Sequence, residues 1–180
     1  VWDVATGREL QRFAGHEAAI ASVDFAGATT VVSAAADKSV RLWSVNATRV
    51  VVADEGSVTD LAARTVAQNS LVATVGSDKL VRLWSAEGEP AGQLAGPTAE
   101  IASVAIRPDA KQVIATSAMD VFVWDLPATL PATPVAATAQ FKTKTAAHRI
   151  RYRADGIQFA VGTEGGRVQL HDASDARLLE

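Results

Sequence analysis

The sequence predicts an all-β protein made of about four stacked, four-stranded antiparallel sheets, and three observations predict it. The four tryptophans recur in matching settings, VWDV (Trp2), RLWSV (Trp43), RLWSA (Trp84) and FVWDL (Trp124), at steps of 41, 41 and 40 residues. Other parts of the period repeat as well. FAGHEAAIASVDF (13–25) aligns without gaps on LAGPTAEIASVAI (94–106), and TVVSAAADKSVRLWS (30–44) aligns on SLVATVGSDKLVRLWS (70–85) with one extra residue. Finally, each period divides into short alternating runs bounded by turn residues, with no sustained helical periodicity even around KTAAHRIRY. A sheet of four short strands cannot cover both of its own faces, so it must stack on copies of itself.

The first unit (5–45) contains the strand-like runs RELQRFA, IASVDF, TVVSA and SVRLWSV, with turns at ATG, AGH, AGA and ADKS. The second (46–86) and third (87–126) follow the same grammar. The fourth (127–173) begins with LPATLPATPVAATAQ (126–140), a Pro/Ala/Thr stretch that reads as an enlarged loop. Its last strand, VQLHDA, puts His171 where tryptophan is expected, 47 residues after Trp124. EGG (164–166) is a hairpin turn, and RPDA (107–110) and RADG (153–156) occupy one turn of successive units. Residues 1–4 and 174–180 read as partial strands of flanking units, so 1–180 is one repeat segment in an offset frame.

Composition bounds the function. Hydrophobic residues make up 48% of the chain, which implies a packed core. No apolar run reaches the roughly 18–20 residues that span a bilayer, and no signal-peptide layout is present. A net charge of −3 gives no global attraction to nucleic acid or anionic membrane, so neither is expected as a partner. Without cysteine there is no disulfide, thiolate nucleophile or cysteine metal site, which is compatible with any compartment. The three histidines lack metal-ligand spacing, and no P-loop, G-x-S-x-G or H-E-x-x-H occurs. No cofactor, metal or catalytic residue is expected.

With these residues in view, the chain resembles the WD-repeat β-propeller family over essentially its whole length. The resemblance rests on Gly15-His16, the Ser/Thr of the second strand, the Asp six residues before Trp, and the closing Trp-Asp or Trp-Ser. It implies a β-propeller of four-stranded antiparallel blades, about four repeats, forming a partial ring or half-propeller. It also implies a hydrogen-bonded tetrad bracing each blade: His16, Ser33, Asp37 and Trp43 in the first. The second keeps Thr74, Asp78 and Trp84 with Asp54 at the histidine position. The third keeps Thr116 and Trp124, with Pro97 in place of histidine and a shortened turn that leaves Asp120 without a settled equivalent. The fourth has lost both Trp and the turn Asp.

By the same resemblance the protein is a rigid, non-catalytic platform that binds other proteins on its rim. The loops at one rim differ most between units and nominate Lys38, Glu55, Lys79 and Glu100 as contacts. Four repeats fall short of the common seven-blade ring, so the segment reads as a fragment of a larger propeller that self-associates through its open blade edges, beside a homodimer sharing one ring and a self-closed four-blade form. One alternative is a propeller enzyme acting in the central channel, for which the inner strands offer only Asp24 and Asp60. Another is a structural module of a longer multidomain chain. His16 and His171 read as structural and His148 as solvent-facing. The basic run KTKTAAHRIRYR (142–153) reads as a solvated loop leading into a strand rather than a polyanion patch, since Tyr152 is its only aromatic. Alternation puts Ile150 and Tyr152 on one face and Arg149, Arg151 and Arg153 on the other. An arginine face implies ion pairing across an interface, or a blade with an unusual neighbour.

Overall fold

The structure, a computed structural model, describes residues 1, 2, 7, 9, 11–27, 29–44, 48–52, 56–67, 69–86 and 88–179, with 48–52 described by backbone alone. All regular structure among them is β, in sixteen strands. The first sheet runs β1 (Ile20–Phe25), β2 (Val31–Ala35), β3 (Ser39–Trp43), β4 (Thr48–Val52) in spatial order. The second runs β5 (Val58–Val66), β6 (Asn69–Gly76), β7 (Val81–Ser85), β8 (Pro90–Ala95). The third is β9 (Ile101–Ile106), β10 (Gln112–Ser117), β11 (Asp120–Asp125) and β13 (Ala139–Lys142). The fourth is β14 (Ala147–Tyr152), β15 (Gln158–Thr163) and β16 (Arg167–Asp172), with Leu178 bridging to His171 where an outer strand would begin.

The strands form where β-branched and small apolar residues alternate, and they stop at turns whose chemistry is explicit. In the β2–β3 turn Lys38 adopts φ 69°, and in the β6–β7 turn Lys79 adopts φ 70°. Successive sheets bury their facing sides against each other. Val32, Ala34, Val40 and Leu42 of the first sheet pack on Leu61 and Val72 of the second. Val75, Val81 and Leu83 of the second meet Ile101, Val104 and Trp124 of the third. Ile114, Val121 and Val123 of the third meet Ile150, Phe159 and Val161 of the fourth. The inner strands β1, β5, β9 and β14 therefore stand side by side, and the row does not close into a ring among the described residues.

The Pro/Ala/Thr stretch is more than a loop. After Leu130 lies against Gly92, where an added Cβ would come within 3.2 Å, the chain forms β12 (Val135–Ala136). This strand pairs in parallel with Leu94–Ala95 at the edge of the second sheet, and β13 then completes the third. Extended Pro-containing backbone can cover an edge that needs few N–H donors, so the insert straps two sheets together.

Candidate functional site: a braced rim above the inner strands

One end of the stack carries the turns that precede each inner strand together with the β2–β3, β6–β7 and β10–β11 turns. Its best-braced part is in the first sheet. The Trp43 indole N–H donates to Ser33 Oγ at 2.7 Å. Ser33 Oγ lies 2.8 Å from His16 Nε2, and His16 Nδ1 lies 2.8 Å from Asp37 Oδ2. Each group donates once to the next: indole to hydroxyl, hydroxyl to imidazole, imidazole Nδ1–H to carboxylate. Ser39 adds its hydroxyl (2.6 Å) and its N–H (3.0 Å) on Asp37 Oδ1, and Glu17 N–H donates to Oδ2. Burial alone would raise the Asp37 carboxyl, but the bonds from Ser39, His16 and the two backbone N–H groups outweigh it. They hold the group well below the usual carboxylate range. Gly15, at φ 155°, precedes this relay; a Cβ there would run into the Arg41 guanidinium.

Strand register shows how the other sheets depart from this arrangement. Trp43, Trp84, Trp124 and His171 pair across with Val31, Val72, Val113 and Phe159. Two residues further along those strands stand Ser33, Thr74, Ala115 and Val161. Trp84 donates to Thr74 Oγ1 at 2.9 Å, as Trp43 does to Ser33. Asp78 accepts from Leu80 N–H and forms an ion pair with Arg82, the residue opposite Thr74. The position of Asp54, at the place of His16, lies outside the described residues, as does that of Glu55. In the third sheet Ala115, not Thr116, occupies the register place of Ser33. Trp124 therefore donates to the carbonyl of Ala95 at 3.0 Å, and Thr116 Oγ1 is buried without a partner. Pro97 is buried, and Asp120 turns to Gln140 and Lys142 of the outer strand. In the fourth, the His171 ring stacks on Phe159 at 5.2 Å and meets Phe141 at 4.7 Å in a tilted arrangement, with Nδ1–H donating to Ala176 O. The shortened turn signalled the third-sheet shift, while Ser39 and Arg82 carried no signal separating them from ordinary strand residues.

Each sheet's inner-to-second-strand pairing has a register irregularity near the start of the inner strand, at Ile20/Ser22, Val58/Asp60, Ile101/Ser103 and Ala147/Arg149. Such a bulge re-aims the extra residue. Three of these residues, Thr59, Ala102 and His148, line one open depression of about 440 Å³ with Glu100 and Arg149 on its walls. Lys38, Lys79 and Glu100 are exposed on the same end.

Below the depression the inner strands are linked by polar side chains. Asp24 Oδ2 accepts from Ala63 N–H at 3.0 Å. Asp60, fully buried, gathers Ser103 Oγ (2.6 Å), Val104 N–H (3.2 Å) and the guanidiniums of Arg149 and Arg151 (3.3 Å each) on one carboxylate oxygen. Arg151 also donates to Ser103 Oγ and to the carbonyls of Val104 and Ile150. Asp24 and Asp60 are thus both engaged as ties between sheets, and no group of three or more potential metal ligands occurs among the described residues.

Antiparallel sheets stacked side by side, joined at their inner strands and braced by a Trp–Ser–His–Asp relay, place the chain in the class of β-propeller segments. Within that class, residues 7–44 match the family model described as WD domain, G-beta repeat. Comparison with curated proteins found no match. Repeats of this family generally serve as protein-interaction scaffolds.

Proposed function

We propose that the chain is a non-catalytic protein-interaction scaffold whose contact surface is the braced rim, and that it completes its stack with a second copy. The observation that carries the rim reading is the depression over Thr59, Ala102 and His148, where side chains from three successive sheets converge. Glu100 and Arg149 give it opposite charges on adjacent walls, which suits a polar peptide segment more than a hydrophobic one. Lys38 and Lys79 extend the surface outward on turns held by Asp37 and Asp78, so a partner meets little flexible loop and loses little ordering entropy on docking. Glu55 belongs to this proposal from its place in the repeat. Support for a second copy comes from apolar side chains left exposed on the outer sides of the first and fourth sheets.

The test compares proteins captured by the unaltered chain with those captured by Glu100→Lys and Lys79→Glu, and by Lys111→Glu on the opposite end. Partners lost with both rim variants but kept with Lys111→Glu support the reading. An unchanged set across all three overturns the rim as the contact surface.

A further inference from the structure

The three internal junctions share one geometry, and the two ends of the stack present its two halves. On the receiving side, the register equivalents of Ile20, Val23 and Phe25 are Val58, Leu61 and Ala63 in the second sheet. In the third they are Ile101, Val104 and Ile106, and in the fourth Ala147, Ile150 and Tyr152. The preceding sheet buries all nine of these to 8% exposure or less, whereas Ile20, Val23 and Phe25 are 56%, 56% and 59% exposed. On the delivering side, the pair Val168 and Leu170 stands where Val40/Leu42, Val81/Leu83 and Val121/Val123 stand in the other sheets. Those six are at most 5% exposed under the following sheet, while Val168 is 67% and Leu170 38% exposed. The receiving face includes an open groove of about 540 Å³ between Trp2, Phe13, Ile20, Val23 and Phe25.

Resting on the reading that the chain completes its stack with a second copy, we infer that the joint is head to tail. The Val168–Leu170 face of one copy's fourth sheet docks on the Ile20–Val23–Phe25 face of the other copy's first sheet. The match is between faces already complementary three times within one chain, and two such joints close a ring about a twofold axis. The new joint differs from the internal ones at the inner strands. Asp24, Asp60 and Ser103 each accept from an N–H of the following inner strand. In β14 the register places of Asp60 and Asp24 hold Arg149 and Arg151, whose guanidiniums turn back to Asp60. The joint therefore rests on apolar contact, without that acceptor, and is more readily reversible than the internal junctions.

The absence of cysteine allows a direct test. Chains carrying Val23→Cys or Val168→Cys are mixed at equal concentration, treated with a short bismaleimide, and sized by gel and by light scattering. A two-chain mass with cross-links joining position 23 to position 168 supports the inference. A two-chain mass with only 23-to-23 and 168-to-168 cross-links overturns the head-to-tail joint and leaves self-assembly standing. A one-chain mass at every concentration, with no cross-links, overturns both. Mass that grows with concentration while the links remain 23-to-168 supports the joint and overturns the closed ring. Val168→Asp supplies the second measurement: with an unchanged circular dichroism spectrum, association weakens at least tenfold, and wild-type association in this variant overturns the joint.

Discussion

Arg151 and Asp60 lie 91 residues apart in the chain, yet the guanidinium of one meets the buried carboxylate of the other at 3.3 Å, spanning from the fourth sheet to the second. This contact ties inner strands that share no backbone ladder. A buried carboxylate left without its cations is costly, on the order of 3–5 kcal/mol when an ion pair is broken from one side.

Removing the arginines singly and together separates their contributions. Both arginines are about half-exposed, but Arg151 also donates to Ser103 and two carbonyls, so Arg151→Ala is expected to lose about 1.5–3 kcal/mol, against about 1 kcal/mol or less for Arg149→Ala. The double variant is expected to lose more than the sum, because either guanidinium alone still neutralises Asp60. Urea unfolding of the four proteins checks this, and strict additivity would show that the two do not share one charge.

Acid sensitivity should concentrate at Asp37. Its folded carboxyl titrates below the unfolded value of about 3.9, so below that value the unfolded chain takes up more protons. The stability it contributes is complete above about pH 5 and drains away as pH falls through 4 towards the folded value. Asp37→Asn is expected to be less stable at neutral pH and to show a shallower loss between about pH 5 and 2. Some slope remains from Asp109, Asp155 and Asp172, whose carboxyls are also lowered. Equal slopes for both proteins would remove Asp37 as a source.

Thr116 offers a gain. Its hydroxyl is fully buried with no partner, so Thr116→Val removes an unmatched polar group while keeping the shape. An increase of about 1–2 kcal/mol is expected in chemical denaturation, whereas Ser33→Ala in the first sheet, which orphans the indole N–H of Trp43 and a nitrogen of His16, loses about 1–3 kcal/mol.

Lys38 and Lys79 hold left-handed backbone that glycine adopts without strain. Replacing either by glycine should stabilise the fold by about 0.5–1 kcal/mol net of glycine's greater freedom when unfolded. The same variants should capture partners less well if these lysines belong to the contact surface. A thermal shift together with the capture comparison measures both effects at once.

Much of the architecture was legible because repetition amplifies a weak signal. One V-x-L-W strand means little, but two copies of it among four tryptophans at steps of 41, 41 and 40 residues point to one supersecondary unit made several times over. The cluster of His16, Ser33, Asp37 and Trp43 comes from the family resemblance rather than from repetition, and the four side chains are linked by hydrogen bonds in the structure. Thr116 shows where the resemblance stopped. Alignment by residue type chose the nearest hydroxyl, while strand pairing, set by a turn two residues shorter, puts Ala115 at that place.

Sequence by itself determined the units, their strand grammar and the alternation that set Arg149 and Arg151 opposite Ile150 and Tyr152, because these depend on neighbours within a few residues. It took the tertiary structure to decide that the arginines reach Asp60, that Val135–Ala136 pairs with the edge of the second sheet, and that Thr59, Ala102 and His148 share one depression. Those outcomes depend on how sheets distant in sequence stack, and stacking is fixed by burial of whole faces rather than by any local pattern.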